Sequence, residues 1–143
     1  MLGVTYWLRS ELWYSKSMDE TQVAKLVQSA TDLVNEYGDD KNHTMAAAVL
    51  TKSGKIFTSL NFYHFTGGPD AEVAALARVV SEGESPVTVV AVGHNDRGVM
   101  APCGRCRQTI FDYYPDMQVV LPGNNVKSIK ELLPDTFDWN EQQ

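Results

Sequence analysis

Only two cysteines occur in the 143 residues, and they stand together as Cys103 and Cys106 in "APCGRCRQ". With no partner elsewhere they cannot build a disulfide framework, so the pair means a metal site, a redox couple or coincidence. At a helix start, the i, i+3 spacing puts both sulfurs on one side, near unpaired backbone N–H groups that stabilise thiolate. About thirty residues upstream, "GGPDAEVAAL" also opens a helix, with Asp70 and Glu72 separated by Ala71. A donor at position 70 can join the two sulfurs on a metal. With only the small Ala71 between, Glu72 then projects beside the metal without binding it, where a carboxylate can carry protons.

The two half-motifs are more specific together than apart. A ligand, a gap residue and Glu, followed by Pro-Cys-x-x-Cys, is the arrangement of zinc deaminases. The competing reading is redox, because "CGRC" at a helix start resembles the dithiol of thioredoxin-like proteins. Its context is less favourable there: the dithiol follows the third strand, past the middle of the chain, and no aromatic residue directly precedes Cys103.

The elements that must position these residues follow from periodicity. "SMDE" reads as a capping box with Glu20 three residues after Ser17. Val23, Leu26, Val27, Ala30, Leu33 and Val34 then repeat at helical intervals to about Gly38. Two apolar stretches around Ser53-Gly54 predict an antiparallel hairpin, residues 45–50 with 56–62. A second helix is expected from about Asp70 to Ser81, then a buried strand in the Val-rich "PVTVVAVGH", then a loop "NDRGVMAP". A third helix is expected from Cys103 to just before Pro115, a strand in "MQVVLPG", and a brief helix in "VKSIKELLP". The order α-β-β-α-β-α-β-α predicts an α/β fold, a mixed sheet between helices in three α-β-α layers, with the whole chain 1–143 as one domain. Residues 1–16 form an extension whose aromatics, among them Trp7 and Trp13, are expected to pack on the domain or on a neighbouring subunit.

Composition bounds the function. The apolar share of 43% supports a shared core, and 18 acidic against 12 basic residues give a net charge of −6. That balance repels polyphosphate, which disfavours a long nucleic-acid partner. No apolar run approaches the roughly 20 residues of a spanning helix, and Arg9 and Glu11 interrupt the N-terminal segment, so a cytoplasmic protein without a membrane partner is expected.

From about Thr44 to Trp139 the chain resembles the cytidine deaminase superfamily, on "NFYHFTGGPDAE", "PCGRCRQ" and "ELLP". The resemblance implies the three-layer cytidine-deaminase-like fold, a homotetramer with sites near subunit boundaries, Zn2+ as cofactor and a small aminopyrimidine nucleoside as substrate. It also implies Glu72 as proton shuttle, Cys103 and Cys106 as zinc ligands, and Asn61 as a contact for the sugar. Tyr63 replaces a glutamate and Arg105 a small residue of ordinary cytidine deaminases; both point to the blasticidin-S deaminase branch and to a substrate-binding role. An inactive zinc-binding assembly protein of the same fold is the remaining alternative.

The departure is Asp70, at the place of the family's first cysteine ligand. Aspartate binds zinc at about 2.0–2.2 Å, but its oxygen lies one bond further from the backbone than a cysteine sulfur. Either the start of the helix shifts or the carboxylate bends. The charge of the donor set is the same as for three thiolates, and Arg105 or Arg107 could offset it, Arg107 being equally readable as a packing arginine. His43 and His94 read as ordinary hydrogen-bonding residues. His64, six residues before Asp70, could serve as a fourth ligand, although the family carries the same "YHFTGG" without using it for metal. Phe62 and Phe65 read as packing residues rather than base-stacking ones, and Asn61 alone reads equally well as a turn residue.

Overall fold

The computed structural model describes residues 18–139 and 141, so the 1–16 extension and Ser17 lie outside the described residues. Helix α1 (Glu20–Tyr37) starts on Asp19, not on Ser17. Asp19 Oδ1 accepts the Gln22 N–H at 2.8 Å, while Gln22 Oε1 accepts the Asp19 N–H at 3.2 Å. The reason lies one residue before the cap. Starting at Asp19 places Met18 outside the helix and Val23 in its second turn, both on the same apolar cluster, a hydrophobic staple that a start at Ser17 would misplace. Val23, Leu26, Ala30 and Val34 form the buried stripe, and the helix ends at Gly38 as expected.

Strands β1 (Met45–Thr51) and β2 (Ile56–Leu60) form the expected hairpin, with Ala46 opposite Leu60 and Leu50 opposite Ile56. Helix α2 (Ala71–Ser81) leads to β3 (Pro86–Gly93), which pairs antiparallel with the other edge of β1. The segment read as a loop contains a short strand, β4 (Gly98–Met100), folded back on the end of β3 through Asn95, Asp96 and Gly98, all at positive φ. Three residues are too few to show a period, so only the turn was visible in the sequence. After α3 (Gly104–Tyr113), β5 (Gln118–Leu121) runs parallel to β3. The stretch expected to be wholly helical divides. Asn125–Ser128 pairs with β5 as edge strand β6, and only Ile129–Leu132 forms the helix, α4.

The sheet order is β2-β1-β3-β5-β6, with β4 beside β3. Alternate residues face opposite layers. Ala46, Ala48, Val90, Val92 and Val120 pack against α1, whereas Ala47, Val49, Val89 and Val119 pack against α2, α3 and α4. Burial on both faces explains why β1 and β3 read as continuous apolar runs. The three-layer mixed α/β fold is the one expected, and it sets α2 and α3 on the same face with their N-termini together.

Candidate metal and catalytic site

Helix α2 begins on Asp70 and α3 on Cys103, each in extended backbone just before its first helical residue. Aspartate is among the best N-cap residues because its oxygen accepts an otherwise unpaired N–H of the first turn. Here Asp70 makes no such bond, nor does Cys103. The Asp70 carboxylate turns instead toward the other helix. Its Oδ2 lies 3.1 Å from Cys106 Sγ and 3.6 Å from Cys103 Sγ. The Asp70 side chain thus reaches across to the start of α3, on a helix whose first residue is Ala71.

The donor atoms of Asp70, Cys103 and Cys106 all lie within 4.8 Å of one another. Zn–S and Zn–O bonds of about 2.3 and 2.0 Å in a tetrahedron put sulfur and oxygen about 3.5 Å apart. The 3.1 and 3.6 Å separations fall around that edge, so one zinc ion fits the donor set. Burial, then the Glu72 and Asp70 carboxylates, push the Cys106 thiol's pKa up, so a metal would have to displace its proton.

Glu72 is the buried acid of this group, only 6% exposed on the first turn of α2. Burial raises its pKa, and the Asp70 charge adds to the rise; its own backbone N–H and the Cys106 thiol oppose it with hydrogen bonds. The result is a carboxyl group with a raised pKa next to Asp70 and Cys106.

Arg105 joins the two helix starts. Its Nη2 lies 3.1 Å and its Nε 3.3 Å from Asp70 Oδ2, and Nη2 also donates to Gly68 O at 2.8 Å. Of the two arginines weighed as cationic neighbours, Arg105 meets the cluster. Arg107 donates to backbone carbonyls, Pro102 O and Leu132 O.

Beside Asp70 opens a cleft of about 290 Å³ lined by residues 61–64, 67–70 and Arg105. It brings together the three residues expected at the substrate, Asn61, Tyr63 and Arg105. Asn61 Oδ1 accepts the Met45 N–H at 3.0 Å, so its amide is anchored by oxygen and its Nδ2 hydrogens stay uncommitted among the described residues. The wall is a tight fold-back, with the Phe62 N–H on Pro69 O at 3.1 Å. Gly68 is required there, since a Cβ would sit 1.5 Å from Phe62 O. Phe62 and Phe65 are not interior packing residues: they stand 65% and 84% exposed, because the fold-back leaves them no core to reach.

His64 is outside the donor group; its Nδ1 pairs with Thr66 Oγ1 at 2.6 Å. His94 meets Asp40, and His43 Nδ1 meets Asn61 O at 2.9 Å, the hydrogen-bonding roles expected of both. Sequence reasoning missed His43 and Met45 as supports behind Asn61. No local signal marks them, for they reach it only through the β1–β2 hairpin.

Residues 20–121 match the family model described as the cytidine and deoxycytidylate deaminase zinc-binding region. The blasticidin-S deaminase of Bacillus cereus is 36% identical over 132 residues, covering 83% of this chain and 94% of that protein. A cytidine deaminase of Halalkalibacterium halodurans is 32% identical over 100 residues, 65% of this chain and 76% of its own. Among solved structures, the cytidine deaminase of Burkholderia pseudomallei superposes with a TM-score of 0.67 at 30% identity, covering 84% of this chain and all of that one (100%). The cytidine deaminase of Mycobacterium tuberculosis, at 22% identity and a TM-score of 0.67 over 85% of this chain and 98% of that one, shares the fold.

Proposed function

Because the chain belongs to the cytidine and deoxycytidylate deaminase family, hydrolases of C–N bonds in cyclic amidines, we propose that it deaminates a cytosine-containing nucleoside or nucleoside antibiotic, cytidine or blasticidin S among them, with zinc as cofactor. The observation that carries this reading is the turn of Asp70 Oδ2 away from its own helix and onto Cys103 and Cys106, with Glu72 buried beside them. The thioredoxin-like alternative is not favoured by this membership.

Asp70, Cys103 and Cys106 would hold the zinc. When bound, zinc supplies Lewis acidity that lowers the pKa of a water at the site toward about 7. Arg105, on the ligand oxygen of Asp70, offsets the excess negative charge of one carboxylate and two thiolates. Glu72 takes one proton from the attacking water as its oxygen adds to ring C4 and delivers it to N3, then takes the second from the resulting C4 hydroxyl and delivers it to the departing amine. Water and the amine become the uracil carbonyl and ammonia. Burial suits Glu72 to this traffic, since a carboxyl with a raised pKa gives and takes protons nearer neutrality.

The cleft supports a small substrate, at the lower edge of the usual range for such sites. Asn61 offers its Nδ2 hydrogens to the sugar, with Tyr63 and Arg105 beside it. Phe62 and Tyr63 on the cleft wall and Phe65 close to it in sequence expose apolar surface, which supports a homotetramer whose neighbouring copies cover it. Among the described residues no helix is long and apolar enough to cross a membrane; a cytoplasmic location remains part of the proposal.

The test is a panel of cytidine, 2′-deoxycytidine and blasticidin S, read by loss of cytosine absorbance and by ammonia release, alongside metal analysis. Stoichiometric zinc with chelator-sensitive turnover is expected. Zinc without turnover of any member would instead favour the inactive assembly protein, and protein purified without zinc that cannot be loaded would sink both.

A further inference from the structure

The three donors are not held equally. Cys106 lies inside α3 with no exposure, fixed by packing, and Asp70 is held by Arg105. Cys103 is exposed, precedes the first helical residue and makes no cap bond. We propose that Arg107 is the positioning residue for Cys103, an inference that rests on the metal reading of the site.

Arg107 reaches back along α3 so that its Nε donates to Pro102 O at 2.9 Å, while its Nη1 donates to Leu132 O, also at 2.9 Å. Both carbonyls need an outside donor. Pro102 is buried and precedes the helix, and Leu132 lies in the last turn of α4, where carbonyls have no partner further along the helix. The peptide unit is planar, so fixing Pro102 O also fixes the Cys103 nitrogen and Cα; the Arg107 N–H on Cys103 O at 3.0 Å holds the next peptide, and the two planes together set the direction of the Cys103 Cβ. The second bond ties that turn to α4, whose Ile129 is fully buried in the core shared with α2 and α3. One planar guanidinium with a fork of donors meets both acceptors; a single ammonium cannot reproduce that geometry. The adjacent Gln108 has a separate task. Its Nε2 donates to Phe137 O at 2.9 Å, and its Oε1 accepts from Thr136 Oγ1 at 3.0 Å, fastening the C-terminal segment to the same helix.

The experiment compares the full chain with its Arg107→Gln, Arg107→Lys and Gln108→Ala variants. Zinc affinity is measured by chelator competition, and the thiolate-to-metal absorption is recorded after cobalt substitution. Circular dichroism and thermal unfolding report on the fold. Arg107→Gln is expected to weaken zinc by about 10- to 100-fold, the usual cost of losing a group that orients a ligand, and to alter the cobalt spectrum. Gln108→Ala, which loses contacts on the same helix but none to Pro102, should keep the wild-type affinity and spectrum. Should Arg107→Gln fail to fold, Arg107→Lys carries the test, with weaker zinc and a changed spectrum expected. Wild-type affinity and spectrum in whichever Arg107 variant folds would overturn the inference. So would equal weakening in Arg107→Gln and Gln108→Ala, which would mark a general loosening of α3. A wild-type chain that takes no zinc would overturn the metal reading itself, a result distinct from either.

Discussion

Helices α1 and α4 begin on reciprocal capping boxes, Asp19 with Gln22 and Ser128 with Glu131, whereas α2 and α3 begin on Asp70 and Cys103, whose side chains accept nothing from their own helices. All four N-cap residues have extended backbone, so the difference lies in where the side chain goes. A good cap contributes about 1 kcal/mol. At α1 and α4 that stability is kept. At α2 it is forgone by a residue type well suited to supply it, and the carboxylate lies against two thiols and an arginine instead. Local stability withheld at one place, while retained at equivalent places in the same chain, is what the proposed metal role of Asp70 would require.

Glu72 offers the widest test of this division, since it sits in the first turn of α2 yet is buried among the donors. Glu72→Gln keeps the shape and removes the proton carrier. Turnover should fall by several orders of magnitude, beyond the roughly 10² to 10⁴ of a single acid–base role, because one group acts at several steps. Zinc content and the unfolding midpoint should persist. Near-normal turnover in steady-state assays would remove the mechanism.

Asp70 comes next. Asp70→Ala should lose most of the zinc and all detectable turnover, and Asp70→Asn should bind zinc more weakly, as an amide oxygen is the poorer ligand. Asp70→Cys should retain zinc while turnover falls, because the shorter side chain stands where a carboxylate bent across to reach the thiols. Metal analysis after dialysis reads all three. Full zinc and activity in the Ala and Asn variants would make Asp70 an ordinary helix-start residue.

Stability of the metal-free protein sharpens the contrast at smaller scale. Ser128→Ala removes a working cap and should cost about 1 kcal/mol. Asp70→Ser does the reverse, placing at α2 a residue free to cap, and should raise the unfolding temperature by a few degrees while abolishing turnover. A lower unfolding temperature in Asp70→Ser would show that the Arg105 ion pair, not the missing cap, dominates at that helix.

Asp39 supplies the smallest and most local check, an aspartate used as Asp19 is. Its Oδ1 accepts the N–H groups of Asn42, Lys41 and His43, and these bonds hold its pKa down at about 2, against an ordinary 3.8. The depressed value favours the charged form in the folded state. Its contribution is therefore complete above the ordinary carboxylate pKa and is lost as pH falls through the interval toward about 2. Asp39→Asn should remove that part of the acid dependence in urea titrations, and an unchanged acid limb would show that the turn bears no linkage.

Much of this molecule is legible in the order of its residues, because those features are local. The stripe of α1, the hairpin register around Ser53-Gly54 and the burial of β3 on both faces each follow from a repeat a few residues long. Cys103 and Cys106, three apart at a helix start, and Glu72 two after Asp70 are likewise written in short spacings. Tertiary structure decided the rest. Nothing within "GGPDAEV" says whether Asp70 caps its helix or leaves it; that depends on Arg105 and two sulfurs more than thirty residues away in sequence. Arg105 and Arg107 are two residues apart and alike in the sequence, yet one meets a carboxylate and the other two carbonyls, because they leave α3 in different directions. Strands β4 and β6 are too short for a period and exist through the neighbours they pair with. A side chain with several partners in reach takes the one that folding delivers, and that delivery is a property of the whole sheet and its helices.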